Sequence, residues 1–300
     1  MADLLRPRAS KKAELRALLD TAVRDRKPLV LPGCYDALGA RLIEQADFDV
    51  VYMTGFGTTA GLLGRPDVGL LGLSEMVDNA RRIVDAVDRP VVADADTGYG
   101  NAINVVRTVS AYESAGVAGI HLEDQILPKK CGHMEGKQVV PRDEFVGKIR
   151  AAAAARTDPD FVLIARTDAR APHGLDEAIA RAEDALEAGA DVLFIEALEN
   201  DEEIAIVSER FADTPTVFNW AEGGKTPPLT YDQIAELGFA IIIMPIGTML
   251  AATAAMQSFL TKLKADGTPA AFGDQLMGFS DFTDLIGLPE INELEARFSG

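Results

Sequence analysis

Three hundred residues with 48% hydrophobic and 25% charged side chains describe an ordinary globular chain with a large core, and exclude collagenous, low-complexity and disordered classes. A formal net charge of −18 repels nucleic acid and anionic membranes, so neither is an expected partner, although a small anion can still bind where a divalent metal and a few cations invert the local field. The two cysteines, Cys34 and Cys131, make no disulfide framework and point to a reduced, cytoplasmic location.

The first basic residues, Arg6, Arg8, Lys11 and Lys12, stand among polar neighbours with no apolar stretch behind them, so no secretory signal is expected. A helical pattern over 11–24 lies in an N-terminal segment, 1–27, that can cover one end of the fold. Beyond it, Val- and Ile-rich runs recur at 29–31, 50–54, 91–96, 119–124, 161–167, 192–197, 216–220 and 240–245, with helical patterns between them such as 74–87, 102–115, 175–188 and 231–237. Continuous apolar runs suit strands buried on both faces, and the helices supply the crossovers that parallel strands need. Gly116, Gly189 and Gly238 fall where helix C-caps belong. Eight such units predict one α/β domain over 1–300, a (β/α)8 TIM barrel; a doubly wound open sheet is the weaker reading because no Gly-rich dinucleotide fingerprint follows the first strand. The uncharged run 238–261 is interrupted by Pro245, Gly247, Thr253 and Gln257, and reads as a buried strand turning into a helix, not as a membrane span. The extension 262–300 is apolar for a tail, with Phe272, Met277, Phe279, Phe282, Leu285 and Ile286, and is expected to dock on this barrel or on a neighbouring subunit.

Two connections, 55–73 and 125–142, are long for such a fold and follow strands, which puts both at the catalytic mouth of a barrel. Polar residues collect at the same strand ends: Tyr52 and Thr54, Asp94 and Asp96, Glu123 and Asp124, Arg166 and Asp168, Glu196, and Asn219. Crowded carboxylates repel unless a hard cation sits among them, and oxygen ligands suit Mg2+ or Mn2+; Asp67, on the first long connection, can join the set. In Asp94-Ala95-Asp96, strand alternation points both carboxylates to one side, where they can share an ion. His121 reads either as a support for a ligand or as a core histidine. Arg166 can clamp a substrate carboxylate with its planar fork or pair with Glu196 or Asp168, and Asn219 can donate to charge developing on a carboxylate oxygen.

The second long connection carries Lys129-Lys130-Cys131-Gly132-His133. Cations within two residues favour thiolate and Gly132 permits a sharp bend, so Cys131 is a proton-transfer candidate; the alternative is a small apolar side chain in a solvated loop. Zinc is not expected, since Cys131 and His133 have no further Cys or His ligands nearby, and Cys34 reads as packing.

In order along the chain, Tyr52-Met53-Thr54-Gly55, Asp94 to Gly100, His121-Leu122-Glu123-Asp124-Gln125, Lys129 to His133, Ala165-Arg166-Thr167-Asp168-Ala169 and Phe194-Ile195-Glu196-Ala197 resemble the isocitrate lyase and phosphoenolpyruvate mutase superfamily. The resemblance implies a modified TIM barrel with an extra N-terminal helix, a homotetramer that swaps C-terminal helices between subunits, and Mg2+ held around Asp96 by Asp94, Asp67 and Glu123. The Lys-Lys-Cys-Gly-His run is similar to the carbon–carbon lyases; phosphonomutases and the oxaloacetate decarboxylase group lack that cysteine. The lyase branch implies a small di- or tricarboxylate substrate: a 2-hydroxy-dicarboxylate such as a substituted malate, cleaved to a 2-oxo acid and a carboxylate. Methylisocitrate cleavage, oxaloacetate hydrolysis and phosphonomutase chemistry are the alternatives on this scaffold. Methylisocitrate lyases place a threonine two residues after the asparagine to hold the third carboxylate; here that place is Ala221, and the run Asn219 to Pro227 is more similar to the dimethylmalate lyase, petal death protein and oxaloacetate hydrolase group. By this resemblance Cys131 exchanges a proton with the departing carbon, with His133 beside it in the catalytic loop. Arg166, Glu196 and Asn219 stabilise the enediolate, and Tyr52 is a base for the hydroxyl. Asp94, Gly132 and the backbone N–H groups of Thr54, Gly55 and Phe56 hold the substrate.

Overall fold

A computed structural model of the chain describes residues 5, 9–132 and 134–299. Its strands are β1 Leu29–Cys34, β2 Val51–Met53, β3 Val91–Asp94, β4 Gly119–Glu123, β5 Val162–Thr167, β6 Val192–Ile195, β7 Val217–Asn219 and β8 Ile241–Met244. Seven lie within the predicted runs, and β1 begins in its run, 29–31, and continues through Pro32 and Gly33 to Cys34. They pair in parallel in the order β6-β5-β4-β3-β2-β1-β8-β7, and a parallel bridge from Leu193 to Thr216 joins β6 to β7, so the eight strands form the predicted (β/α)8 barrel.

Side-chain alternation along each strand sorts the core into two layers. Leu29, Leu31, Val92, Val162, Ile164, Val192, Phe194, Val217, Ile241 and Ile243 fill the barrel interior. Leu15, Leu19 and Ala22 of the helix Lys12–Asp25 join them, so the predicted N-terminal helix packs against the interior cluster. Gly119 makes that approach possible, since a Cβ there would stand 2.8 Å from the Val162 carbonyl oxygen and 3.4 Å from Leu15. The residues of opposite parity, Val51, Met53, Val91, Ala93, Ile120, Leu163 and Leu193 among them, pack outward beneath the helices. Continuing the inward parity to the strand ends reaches Tyr52, Asp94, His121, Glu123, Arg166, Glu196 and Asn219.

The helices Ala102–Ala115 and Tyr231–Leu237 have the predicted bounds because both ends carry strong signals. Asn101 and Thr230 accept from N–H groups of the first turns, and Gly116 and Gly238 end the helices at φ 91° and 85°. The connection 55–73 differs from expectation: its first half is the helix Gly55–Leu63, capped by Thr54, whose hydroxyl accepts from Gly57 N at 3.4 Å. Gly55 and Gly57 weaken the helical signal, but both serve close packing. A Cβ on Gly55 would stand 2.9 Å from Asp94 Cγ, and one on Gly57 2.7 Å from Thr54 Cγ2.

After β8 the helix Gly247–Asp266 has no buried residue, and the helices Phe279–Leu285 and Leu288–Phe298 follow a 3-10 turn, Ala270–Gln275. Phe272 is buried edge-on to Phe259, and Arg41 Nη1 donates to Leu285 O at 3.2 Å, so the tail touches its own barrel. Its other predicted docking residues do not bury: Phe279 is 84% exposed and Met277 55%. Among the described residues no helix is long and apolar enough to cross a membrane.

Candidate active site

At the C-terminal mouth of the barrel the predicted residues share one cavity of about 220 Å³. Tyr52, Asp94, Arg166, Glu196 and Asn219 reach it from β2, β3, β5, β6 and β7 or just beyond them, and Thr54 and Phe56 from the turn and helix after β2. Asp67, Cys131 and Gly132 line it from the two long connections. Asp96 and Glu123 lie outside its lining, buried at 5% and 1% exposure. His133 lies outside the described residues.

Lys129 stands among the acids. Its Nζ is 2.6 Å from Asp67 Oδ2 and 2.7 Å from Asp96 Oδ1, in a side chain only 3% exposed. Asp94 is held by two N–H donors, Asp96 N at 2.9 Å on Oδ1 and Gly55 N at 3.2 Å on Oδ2. Strand alternation does not extend to Asp96, because β3 ends at Asp94 and Asp96 takes φ 47°, a left-handed conformation that Asp tolerates better than most residues. Among the described residues no three His, Cys, Asp or Glu side chains form a ready cation cage, and the Lys129 ammonium stands between two of the acids assigned to a metal. The donor set nonetheless suits a hard divalent cation. Burial pushes Asp96 up to about 6, against the pull of Lys129, and lifts Glu123 well above the usual carboxylate range despite Arg166. Glu123 Oε1 is buried without a hydrogen bond, and Asp96 Oδ1, though beside Lys129, is outside hydrogen-bonding geometry. Four acids, Asp67, Asp94, Asp96 and Glu123, face two cations, Lys129 and Arg166, so added positive charge would favour the ionised forms of Asp96 and Glu123.

Tyr52 Oη is 2.8 Å from His121 Nε2, and burial, reinforced by Asp94, raises the phenol well above its ordinary value of 10. The shift favours the protonated phenol, which shares a hydrogen bond with His121. Burial also lowers His121 to about 4, and its Nε2 stands 3.6 Å from Asp94 Oδ1 beside the acid cluster. The expected N–H cradle is mostly spent: Thr54 N donates to Cys34 O at 3.1 Å and Gly55 N to Asp94.

On the opposite parity of charge, Arg166 donates to Asp168 through Nε at 3.0 Å and Nη2 at 3.2 Å, with Glu123 at 3.5 Å and Glu196 at 3.8 Å. The alternative pairings considered from sequence therefore hold together. Asn219 Nδ2 donates to both oxygens of Glu196, at 3.2 and 3.1 Å. Asp168 accepts a further bond from Lys137, and its own N–H donates to Asp124 Oδ1 at 2.8 Å. The neighbouring Arg166 and Lys137 hold Asp168 well below the carboxylate range although its burial acts the other way. Lys129, expected to favour the Cys131 thiolate, turns instead to Asp67 and Asp96, and Lys137 is a functional-site neighbour that sequence reasoning did not single out. A lysine in a polar loop reads as solvated, and only the folded loop shows Lys137 at 6% exposure. Cys131 is half-buried at the cavity, whereas Cys34 is fully buried and packs in the outer core as expected.

The family described as phosphoenolpyruvate phosphomutase matches residues 19–264. The chain is 49% identical over 287 residues to 2,3-dimethylmalate lyase of Eubacterium barkeri, spanning 96% of this chain and 98% of that protein. Its structure is similar to that of oxaloacetate acetylhydrolase in complex with 3,3-difluorooxalacetate, with TM-score 0.91 and 41% identity over 97% of this chain and 98% of the other. A crystal structure of 2,3-dimethylmalate lyase gives TM-score 0.91 and 40% identity over 98% and 97%. The chain belongs to the phosphoenolpyruvate mutase/isocitrate lyase superfamily, whose barrel it shares. Within that superfamily it is an enzyme of the carbon–carbon lyase branch.

Proposed function

We propose that this enzyme cleaves a substituted malate, with 2,3-dimethylmalate as the reference compound, to a 2-oxo acid and a monocarboxylate. The observation that carries the reading is the meeting, in one cavity, of Cys131 with the Arg166, Glu196 and Asn219 group and with Asp67 and Asp94 of the acid cluster. Mg2+ or Mn2+ would be held by Asp96 with Asp94, Asp67 and Glu123, and when bound supplies Lewis acidity that eases loss of the 2-hydroxyl proton. As the C2–C3 bond breaks, C2 becomes the carbonyl of the 2-oxo acid and the electron pair stays on the fragment containing C3 as a carboxylate enediolate. Arg166, oriented by Asp168, presents fixed positive charge to that fragment, and Asn219 adds a donor. The Cys131 thiol gives its proton to C3, which completes the monocarboxylate, and the thiolate left behind is reprotonated through solvent, which takes up the proton lost from the 2-hydroxyl, so no net proton is gained or lost. From 2,3-dimethylmalate the products are pyruvate and propionate.

Phe56, Ile243, Pro245 and Ile246 give the cavity apolar lining for alkyl groups, and Ala221 brings no hydroxyl to it. Loss of that hydroxyl from the place two residues after Asn219 favours an alkylated diacid over a tricarboxylate. In a panel of 2-hydroxy di- and tricarboxylates assayed for 2-oxo acid release, a substituted malate should therefore exceed methylisocitrate in kcat/KM. The reverse ranking would make methylisocitrate the substrate.

The same reading includes a homotetramer with exchanged C-terminal helices. The helix Gly247–Asp266 buries nothing within its own chain, and Phe279, Met277 and Phe298 stand 84%, 55% and 64% exposed, a larger apolar display than a monomer keeps in water. Sedimentation equilibrium should find four copies, and removal of 262–300 should disperse them. A full-length monomer throughout the micromolar range contradicts this.

A further inference from the structure

We infer that Lys137 is a positioning residue that fixes the Cys131–Gly132 segment against Arg166; the inference rests on the lyase reading above. Lys137 does not line the cavity. It is buried at 6% exposure, and its ammonium donates to the Gly132 carbonyl oxygen and, at 2.9 Å, to Asp168 Oδ1. A buried ammonium is tolerated only with such partners, so its place is strongly determined. Asp168 in turn is anchored to the barrel through its N–H on Asp124 and holds Arg166 by two bonds. One lysine thus ties the backbone beside Cys131 to the carboxylate that orients Arg166.

Gly132 rests directly on the acceptor group. A Cβ there would lie 2.5 Å from Arg166 Nη2 and nearer still to Glu196 Oε1, so small displacements of the segment change its distance to both. Other polar contacts hold the loop from within, among them Met134 N donating to Cys131 O at 2.8 Å, and none of these reaches Asp168 or Arg166. Gln125 bonds Lys130 N and O at 2.9 and 2.8 Å, and Lys130 Nζ donates to Glu135 O and Gly136 O, all within the loop. Lys129 reaches the acid cluster. Loss of the Lys137 tie should let the thiol drift from the carbon it protonates while leaving the cavity able to bind, and misplacement by about 1 Å costs on the order of a hundredfold in rate.

The test compares wild type, Lys137→Met and Lys137→Arg in the intact enzyme. Thiol position is read by iodoacetamide alkylation of Cys131, because Cys34 is 0% exposed and burial raises its thiol pKa. Lys137→Met is expected to lower kcat at least about thirtyfold with KM changed less than about threefold, and to abolish the slowing of alkylation by Mg2+ plus oxalate, while oxalate affinity by calorimetry persists. Lys137→Arg, which keeps a buried cationic donor, should restore the slowing and most of kcat. Wild-type kcat and alkylation in Lys137→Met overturn the inference. So does parallel loss of oxalate binding and thermal midpoint in both variants, which would make Lys137 merely structural. Absence of lyase turnover in wild type would remove the proposed reaction, yet alkylation and oxalate binding would still decide whether Lys137 sets the thiol's position.

Discussion

Cys131→Ala is expected to lower kcat by on the order of a hundredfold or more while Mg2+ and oxo-acid binding persist, because the variant removes the proton donor and leaves the binding groups in place. Cys131 meets Arg166, Glu196 and Asn219 in the cavity, and Gly132 lets its backbone lie on that group. Serine is nearly isosteric but far less acidic, so Cys131→Ser should be severely impaired as well. Bound ligand should protect the wild-type thiol from alkylation as the segment closes. Turnover and product affinity, measured together for both variants, decide the matter. Near-native turnover in either one would make the cysteine incidental and turn attention to hydrolysis or phosphorus chemistry on the same acids.

Chelation is expected to have the other large effect: turnover should vanish in excess chelator and return with Mg2+ or Mn2+. The reason lies in the charge balance at Asp67, Asp94, Asp96 and Glu123. Lys129 reaches only Asp67 and Asp96 at bonding distance, and burial drives Asp96 and Glu123 towards the neutral acid. A hard cation reverses that drive. Calorimetric titration of Mn2+ into Asp96→Asn and Glu123→Gln should show weakened binding alongside the loss of rate. Full activity in chelator, after the protein has been shown free of metal, would falsify the cation's role.

The barrel was legible in the chain because most strands are short, continuous apolar runs with a helical pattern behind them, and because Gly116 and Gly238 end helices in the left-handed conformation that glycine favours. The strand-end residues followed from the same parity that packs Leu31, Val92 and Ile164 inside. What sequence concealed depends on chain reversals and charge. The helix Gly55–Leu63 hides behind glycines that are there for close contact with Asp94 and Thr54. Asp96 escapes strand alternation through a positive φ. Lys129 and Lys137 look like solvated loop charges until the loop folds inward and each finds buried carboxylates. The hydrogen bond between Tyr52 and His121 joins residues from β2 and β4, a pairing that no local sequence pattern marks.

The central claim, carbon–carbon cleavage with protonation of the departing carbon and no uptake of water, is tested most directly by running the reaction with 2,3-dimethylmalate and Mg2+ in D2O and, separately, in 18O-labelled water. The account predicts pyruvate and propionate in equal amounts, one solvent deuterium at C2 of propionate, and no 18O in the carboxylate of either product. Incorporation of 18O into a product carboxylate, or failure to release a 2-oxo acid from any 2-hydroxy diacid tested, would contradict it.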